Sequence, residues 1–422
     1  MPSTGLYIFE RDCRVDDNPT LSLIASQVDY LICLYCVKPL DKFAKIYSQT
    51  TASSAQRGYI KQTLMQLHQR LMGFGQHLVV VQANINPLIA ELIVLHHITH
   101  IAYSQYAGSY EQSTWLSLQQ QYPAITFLST DGNSLFAQQQ LPFEIEELPE
   151  SFTAFRKVVE TIKENKPYKS IKKLPPSPLN LMFTLPEHIA EANNFYFKGG
   201  ELNAQLHLNE YFSTPAASHY KETRNALQGK HFSTQFSPYL AHGALSPRQI
   251  MQSLNDYEEA HGANESSYWI YFEILWREYF YWYGRKYQER LFFLSGIGKN
   301  TPLLDFCPTR FTAWCNGNTP FSLVNALMHQ LNLSGWMSNR GRQIVASCLI
   351  NELGIDWRYG AAYFEQRLID YDVSSNWGNW QYIAGVGADP RGGRHFNIEK
   401  QTQMYDPKGE FICRWKSTTT AG

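Results

Sequence analysis

The sequence has no long apolar run, no surplus of charge of either sign and an odd number of cysteines. Its longest apolar stretch, residues Tyr30 to Val37, is far shorter than the roughly 18 residues that a membrane-spanning helix needs. Residues 1–4 show neither the basic start nor the apolar run of a signal peptide. We therefore expect a cytoplasmic protein that makes no contact with a membrane.

The counts of charged residues and cysteines exclude further classes of protein. Thirty-six basic residues nearly cancel 37 acidic ones, which excludes a polybasic nucleic-acid coat but permits a local phosphate-binding face. Seven scattered cysteines argue against a disulfide framework and indicate a reducing compartment. A length of 422 residues predicts two or three domains, and a hydrophobic share of 44% is enough to bury their cores.

Several common catalytic motifs are also missing. The sequence contains no G-x-x-x-x-G-K-[ST], G-x-S-x-G or H-E-x-x-H pattern, so nucleotide hydrolysis, serine hydrolysis and zinc proteolysis have no support. Cys33 and Cys36 form a C-x-x-C inside a predicted strand, where we interpret them as small buried residues. His96, His97 and His100 have no acidic partner in their pattern, and we predict no metal site.

Residues 1–130 alternate strand and helix patterns. Buried strands are predicted at residues 5–9, 30–37, 77–82, 99–104 and 124–129, with helical spacing between them. This alternation requires crossover connections and predicts an α/β domain built on a parallel sheet.

The rest of the chain reads differently. Residues 131–200 are rich in lysine and proline and predict a long linker over the surface. Residues 201–422 show helical patterns only, which predicts an all-helical domain. Only Trp115 lies in the first half of the chain, whereas nine tryptophans lie between Trp269 and Trp415. They could be large core side chains, or they could stack on an aromatic ligand and carry electrons.

Four segments of the helical region carry the side chains needed for chemistry. They are Tyr220 to Arg224 with Ser233 to Pro238, Glu273 to Glu278, Gly335 to Gln343, and Leu368 to Tyr382. The hydroxyl run could offer oxygens and backbone N–H groups to a pyrophosphate, and the acidic, indole-rich run suits a polar ligand with an aromatic ring. Taken singly, each segment also has a structural explanation as a helix cap, an ion pair or a packed helix junction.

In this order, the four segments resemble the flavin-binding helical domain of the photolyase/cryptochrome family. The stretches WMSNRGRQ, LIDYDVSSNWGNWQY and DPRGGRHFN are similar to the cryptochrome DASH branch in particular, and the resemblance runs from Leu6 to Trp415. It implies an N-terminal parallel-sheet α/β domain, a long linker and a C-terminal all-helical domain that holds FAD in a U shape.

The resemblance assigns residues to the cofactor and to DNA. Those implied to bind FAD are Tyr220, Ser233, Thr234, Gln235, Phe236, Ser237, Arg342, Asp370, Tyr371, Asp372 and Asn376. Those implied to bind DNA or the lesion are Arg224, Glu273, Trp276, Arg277, Asn339, Gln343, Tyr382, Arg391 and Arg394. Those implied to act in catalysis or electron transfer are Glu273, Asn376, Trp380 and Trp357.

The sequence departs from the family pattern at identifiable positions. The branch usually has Lys where Gln235 stands, and cyclobutane-dimer photolyases have Trp and Met where Tyr382 and Gln343 stand. Leu304 occupies the place of the outermost tryptophan of the photoreduction chain, so that either the chain is broken there or another residue, a tyrosine or Trp314, replaces its last member.

The resemblance implies a blue-light-dependent flavoprotein, a deoxyribodipyrimidine photo-lyase-like carbon–carbon lyase. It would repair cyclobutane pyrimidine dimers, preferentially in single-stranded or locally opened UV-damaged DNA, by electron transfer from photoexcited reduced FAD. We expect a monomer, and a folate antenna (methenyltetrahydrofolate) is compatible with the branch, with Glu111 as the available acid. The alternative is a cryptochrome-type signalling photoreceptor with little repair activity. The few residues after Trp415 favour the enzyme.

Overall fold

The computed structural model describes residues 2–37, 47, 52–179, 182–193, 196–298, 301–389 and 391–416. Residues 417–422, most of the short tail considered above, lie outside the described residues. Five strands form one parallel sheet in the order β3-β2-β1-β4-β5. The strands are β1 (Thr4–Phe9), β2 (Tyr30–Val37), β3 (Leu78–Gln82), β4 (Ile98–Ser104) and β5 (Thr126–Thr130). Each predicted strand is confirmed with ends within two residues.

Four helices cover the two faces of this sheet. They are α1 (Pro19–Ala25), α2 (Ser54–Met72), α3 (Ile85–His96) and α4 (Ser109–Gln121). Successive side chains of a strand point to opposite faces. Leu6 and Ile8 of β1 therefore pack in one core with residues of α3 and α4, whereas Tyr7 and Phe9 pack in another with α2. This confirms the predicted α/β domain.

The segment predicted as a surface linker contributes to the core of the helical region. Leu135 and Phe136 are fully buried there, and Phe152 and Phe155 of α5 (Phe152–Val159) join the same core. Their apolar side chains outweigh the lysine and proline signal that suggested a linker lying only on the surface. The domain boundaries at residues 130 and 200 stay a prediction.

Helices make up the remainder of the described chain. After the short α6 (Glu187–Ala190) they are α7 (Glu201–Phe212), α8 (Tyr220–Thr223), α9 (Ser237–Ala241), α10 (Pro247–His261), α11 (Glu265–Tyr287), α12 (Pro308–Cys315), α13 (Ser322–Ser334), α14 (Asn339–Ser347), α15 (Trp357–Arg367), α16 (Val373–Ala384), α17 (Ile398–Tyr405) and α18 (Glu410–Arg414). A π-helical turn, Cys348–Glu352, follows α14 directly. The all-helical C-terminal region is confirmed.

Helix α11 is the central support of this region. The side chain of Asn264 caps it by accepting from the Ser267 N–H. Glu278 is fully buried in α11 and accepts from the N–H groups of Leu135 and Phe136 at 2.8 and 3.2 Å. A buried carboxylate is tolerated only with such partners, so Glu278 fixes the connecting segment to the helix.

A buried charge cluster joins the α/β domain to the helical region. The Arg248 guanidinium lies 3.0 Å from the Asp17 carboxylate, and both side chains are almost fully buried. Arg14, also fully buried, donates to the carbonyls of Asp17, Gly132 and Gly243. Because these bonds connect both regions, they fix how one sits on the other.

Two predicted absences concern the described part of the chain. No helix there is long and apolar enough to cross a membrane. No group of three or more potential ligands that could hold a metal ion occurs among the described residues. Cys33 and Cys36 are buried in β2, which agrees with their interpretation as core residues.

Candidate functional site

A cavity of about 490 Å³ lies among the helices, and its wall contains every site residue implied by the sequence except Trp357, Arg391 and Arg394. This volume is in the range of small-molecule and cofactor pockets. Its walls come from α8, the loop before α9, α11, α14 and α16, and from the segment between α15 and α16. Asn339, at the start of α14, lines the cavity and is exposed, so the cavity reaches the surface.

The loop at residues 233–237 forms one side of the cavity. The backbone N–H groups of Ser233, Thr234 and Gln235 have no hydrogen-bond partner among the described residues. Gln235 adopts a φ of 50°, in the left-handed region that side chains other than glycine rarely occupy. Unpartnered N–H groups of this kind suit an anionic group such as a diphosphate.

The predicted ion pair between Arg342 and Asp370 forms at the cavity wall. The guanidinium nitrogen lies 2.7 Å from the Asp370 carboxylate, and Arg342 also donates to the Met337 carbonyl at 2.9 Å. Ser237, implied to hold a phosphate, instead donates its hydroxyl to Asp370 at 2.6 Å. The neighbouring Tyr371 is buried and accepts the indole N–H of Trp377 at 3.3 Å.

Three buried polar atoms of the cavity lining have no hydrogen-bond partner in the described structure. They are one carboxylate oxygen of Asp370, the indole nitrogen of Trp336 and the Nε of Arg224. Buried polar groups in proteins are nearly always hydrogen-bonded. A bound polar molecule with donors and acceptors would satisfy them, so the residues present fit a cofactor such as FAD.

Asp372 is held as an ionised carboxylate at the start of α16. It accepts from the Ser375 N–H and the Ser374 hydroxyl at 2.8 and 2.9 Å, and Tyr106 of the α/β domain donates to it at 3.3 Å. Burial opposes ionisation, but the guanidinium of Arg277 and these serine hydrogen bonds outweigh it and hold the pKa of Asp372 below its usual value.

Asn376 lies one turn further along α16 and is buried in the cavity wall. Its amide nitrogen donates to the Ala361 carbonyl at 3.0 Å. The amide oxygen has no partner among the described residues and is left as an acceptor toward the cavity. An acceptor at this position suits an N–H group on a bound ring system.

Glu273 and Arg224 form an ion pair across the cavity. The i,i+4 spacing of Glu273 and Arg277 allowed a structural ion pair within α11, but Arg277 donates to the Asn133 carbonyl at 2.8 Å instead. Both residues line the cavity, so the interpretation of this segment as a pocket wall is confirmed. Burial raises the pKa of Glu273, and the charge of Arg224 opposes that rise.

Aromatic side chains line the same cavity as Glu273. The Trp276 indole stacks on Phe152 with ring centres 3.8 Å apart, and Tyr382 meets it edge-on at 5.8 Å. Trp269 and Phe272 also line the cavity and were not identified from the sequence. Their helical spacing from Glu273 and Trp276 was the signal that could have found them.

Arg391 and Arg394 lie outside the cavity lining. Arg394 pairs with Asp389 at 2.7 Å and donates to the Tyr382 hydroxyl at 2.5 Å, so it contacts the lining indirectly. The Arg391 side chain is 67% exposed. Both therefore stay candidates for contact with an extended ligand rather than with one inside the cavity.

Only one of the two implied electron-transfer tryptophans reaches the cavity. Trp380 lines it, whereas Trp357 is fully buried behind it, donating to the Leu294 carbonyl at 3.1 Å and packing edge-on against Trp377. Trp314, considered above as a replacement for the missing tryptophan, lies edge-on to Trp380 with ring centres 6.3 Å apart.

A close approach behind Trp380 depends on a glycine. A Cβ atom on Gly360 of α15 would lie 2.2 Å from the Trp380 ring and 2.5 Å from Leu349, so any side chain there would displace the indole. Because Gly360 has no side chain, the Trp380 indole is able to pack this closely against α15.

Two family models match the chain. One, described as DNA photolyase, covers residues 5–177, and the other, described as the FAD binding domain of DNA photolyase, covers residues 269–419. The chain is 49% identical over 413 residues to the cryptochrome DASH of Idiomarina loihiensis, covering 97% of this chain and 92% of that protein. It is 50% identical over 413 residues to that of Vibrio parahaemolyticus, covering 98% and 93%.

Solved structures agree with this relationship. A cryptochrome from Synechocystis superposes with a TM-score of 0.91 at 37% identity, covering 98% of this chain and 89% of that one. A bacterial class III photolyase from Agrobacterium tumefaciens has a TM-score of 0.82 at 24% identity, covering 98% and 86%, which shows the fold alone.

The parallel-sheet domain, the helical domain and the polar cavity together define a protein of the photolyase/cryptochrome class. Within that class, the chain belongs to the cryptochrome DASH family. It is a blue-light flavoprotein whose cofactor is FAD.

Proposed function

We propose that this chain is a light-dependent carbon–carbon lyase of the deoxyribodipyrimidine photo-lyase type that repairs cyclobutane pyrimidine dimers. Its substrate is UV-damaged DNA, and it prefers single-stranded or locally opened strands over duplex. It acts as a monomer in the cytoplasm.

The observation that carries the proposal is the position of Glu273 beside aromatic rings. The carboxylate, its partner Arg224, the Trp276 indole and the Tyr382 ring line the same cavity as the flavin-side residues Asp370 and Asn376. An acid flanked by rings suits a pair of pyrimidines, because the rings stack on the bases while the acid bonds their polar edges.

The chemistry that reduced FAD would supply when bound is the light-driven donation of one electron, which would open the cyclobutane ring and then return to the flavin. The protein's own residues bind and orient. Glu273, whose pKa is raised by burial, is able in its protonated form to donate a hydrogen bond to a pyrimidine carbonyl, including one that carries negative charge. The amide oxygen of Asn376 would accept an N–H of the flavin ring system when FAD is bound.

The preference for single strands rests on an energetic argument. A dimer inside a duplex must be flipped out before it can reach a cavity, and this costs a few kcal/mol that an unpaired strand does not require. The near-neutral charge of the chain offers little general attraction to duplex phosphates to offset that cost. Arg391, being exposed, is available for local phosphate contacts.

The test compares repair of one dimer-containing oligonucleotide in single-stranded and duplex form, under blue light and in the dark. We expect light-dependent repair that is faster on the single strand. The Glu273→Ala variant, which leaves no donor in place of the carboxyl group, should retain FAD but repair about ten- to a hundredfold more slowly, since a hydrogen bond to a charged group is worth about 1.5–3 kcal/mol.

Glu265→Ala is the matched control, because Glu265 lies on the same helix, pairs with Lys221 and is largely exposed outside the cavity. It should repair at the unchanged rate. Equal repair of both strand forms would remove the proposed preference. Absence of repair on either form by FAD-loaded protein would overturn the enzyme assignment in favour of a signalling photoreceptor.

A further inference from the structure

Helix α7 supports the loop that carries the unpartnered N–H groups. Three residues at helical spacing face this loop from α7. His207 contacts Thr234, Glu210 lies 3.2 Å from Lys230, and the Tyr211 ring lies 5.4 Å from Phe236. None of the three α7 residues lines the cavity, so they act on it only through the loop.

The other end of α7 is fixed in the α/β domain. Glu201, at its first turn, is almost fully buried and accepts from the N–H groups of Val15 and Asp16 at 3.1 and 2.8 Å. Arg70 adds a guanidinium at 3.3 Å. A helix held in this way is a rigid base from which a side chain is able to position a neighbouring loop.

The contact between His207 and the loop is a directed hydrogen bond. The Nε2 of His207 lies 2.8 Å from the Thr234 carbonyl oxygen. Since a carbonyl oxygen only accepts, Nε2 carries the proton and donates, in the neutral as well as in the protonated imidazole. Burial lowers the pKa of His207, which favours the neutral ring.

This bond sets the direction of the next N–H group. The Thr234 carbonyl and the Gln235 N–H belong to one planar trans peptide, in which the two groups point in opposite directions. With the carbonyl turned toward α7, the Gln235 N–H points away from α7, toward the side where Thr234 and Gln235 line the cavity. The left-handed φ of 50° at Gln235 is unfavourable by itself and needs such a restraint.

We propose that His207 is a positioning residue for the FAD diphosphate. By donating to the Thr234 carbonyl, it holds the Thr234–Gln235 peptide so that the N–H groups of this loop face the anionic part of the cofactor. The proposal depends on FAD as the cofactor and is independent of which DNA, if any, the protein repairs.

A purely structural role for the His207 ring is the competing explanation, because the ring also packs against Phe236 and Tyr239 at 5.6 Å each. Substitutions separate the two roles. His207→Phe keeps an aromatic ring but removes the donor. His207→Gln loses the ring but places an amide donor near the position of Nε2, whereas His207→Asn has a donor that is one methylene too short.

The measurement is the dissociation constant of FAD from full-length protein freed of cofactor and titrated with FAD, followed by flavin fluorescence. We expect about a tenfold weaker affinity for His207→Phe and His207→Asn, and an affinity within about threefold of the unchanged protein for His207→Gln. Asn209→Ala, on the exposed face of α7, should bind FAD unchanged. The melting temperature of each cofactor-free variant is recorded in parallel.

Three results would overturn the proposal. His207→Phe could bind FAD as tightly as the unchanged protein, or His207→Gln could lose as much affinity as His207→Asn. Weaker binding in step with a lower melting temperature of the cofactor-free protein would assign His207 to packing. If His207→Phe does not fold, the proposal is still tested by comparing the FAD affinities of the Gln and Asn variants, whose side chains differ by one methylene.

Discussion

Acidification should destabilise this protein through a buried histidine at the junction of its two domains. His242, directly after α9, is 3% exposed. Its Nε2 donates to the Ile369 carbonyl at 2.8 Å, and its own carbonyl accepts the Cys13 N–H at 3.0 Å. Burial, with a smaller contribution from the charge of Arg11, lowers the pKa of His242 to about 3.

The sign and size of the effect follow from the two protonation states. Below the ordinary histidine pKa of about 6.5, His242 is protonated in the unfolded chain. In the folded protein it stays neutral until the pH approaches 3. The stabilisation contributed by neutral His242 is therefore complete above about pH 6.5 and is lost progressively as the pH falls from there to about 3. Each pH unit below it costs about 1.4 kcal/mol, which amounts to about 2 kcal/mol at pH 5.

The assay is urea unfolding of the FAD-loaded protein at pH 7 and pH 5, compared with the His242→Gln variant. Glutamine keeps a donor for the Ile369 carbonyl but does not titrate. Taking the difference between variant and unchanged protein at each pH cancels other groups, such as Glu201 and Glu278, whose pKa values burial raises.

We expect the unchanged protein to lose about 2 kcal/mol more than His242→Gln between the two pH values. The exposed His188, changed to Gln, serves as the control and should leave the pH dependence as it was. Parallel losses in the unchanged protein and in His242→Gln would refute the assignment of a neutral buried imidazole.

Two further predictions concern the domain junction and the photochemistry. Asp17→Asn keeps a residue that tolerates the φ of 50° but leaves the buried Arg248 without its charge partner. The free energy of unfolding, measured in urea, should therefore fall by about 3–5 kcal/mol. A fall of under about 1 kcal/mol would contradict the role of the buried charge cluster. Trp380→Phe should slow the light-driven bleaching of oxidised flavin at least tenfold in absorption measurements. The control Trp115→Phe, in the α/β domain, should bleach at the unchanged rate. Equal bleaching rates of Trp380→Phe and the unchanged protein would remove Trp380 from the electron path.

The predictable part of the fold depended on local patterns. Short apolar runs located all five strands, and the helical patterns after residue 200 located the all-helical region. These signals come from residues close in sequence, where the period of the hydrophobic positions reports burial. The core role of Leu135 and Phe136 was missed because lysines and prolines further along dominated the composition of their segment.

The contacts of the candidate site likewise include some that were predicted and others, between segments remote in sequence, that were missed. The resemblance brought Arg342 to Asp370, and the pair forms at 2.7 Å. Spacing within α11 suggested that Glu273 could pair with Arg277, yet its partner is Arg224, 49 positions earlier in the chain. His207 and Tyr106 could not be found from the sequence, because each acts through a contact with a segment remote in sequence.

The stack of Phe152 on Trp276 leaves the Trp276 indole open to a ligand of the cavity on one face at most. With ring planes 12° apart and centres at 3.8 Å, Phe152 covers one surface of the indole and leaves at most the opposite surface for a nucleobase. Tyr382 closes a second side at nearly a right angle, 84° to the indole. A flat ring that enters this corner is therefore able to stack only on the indole surface opposite Phe152.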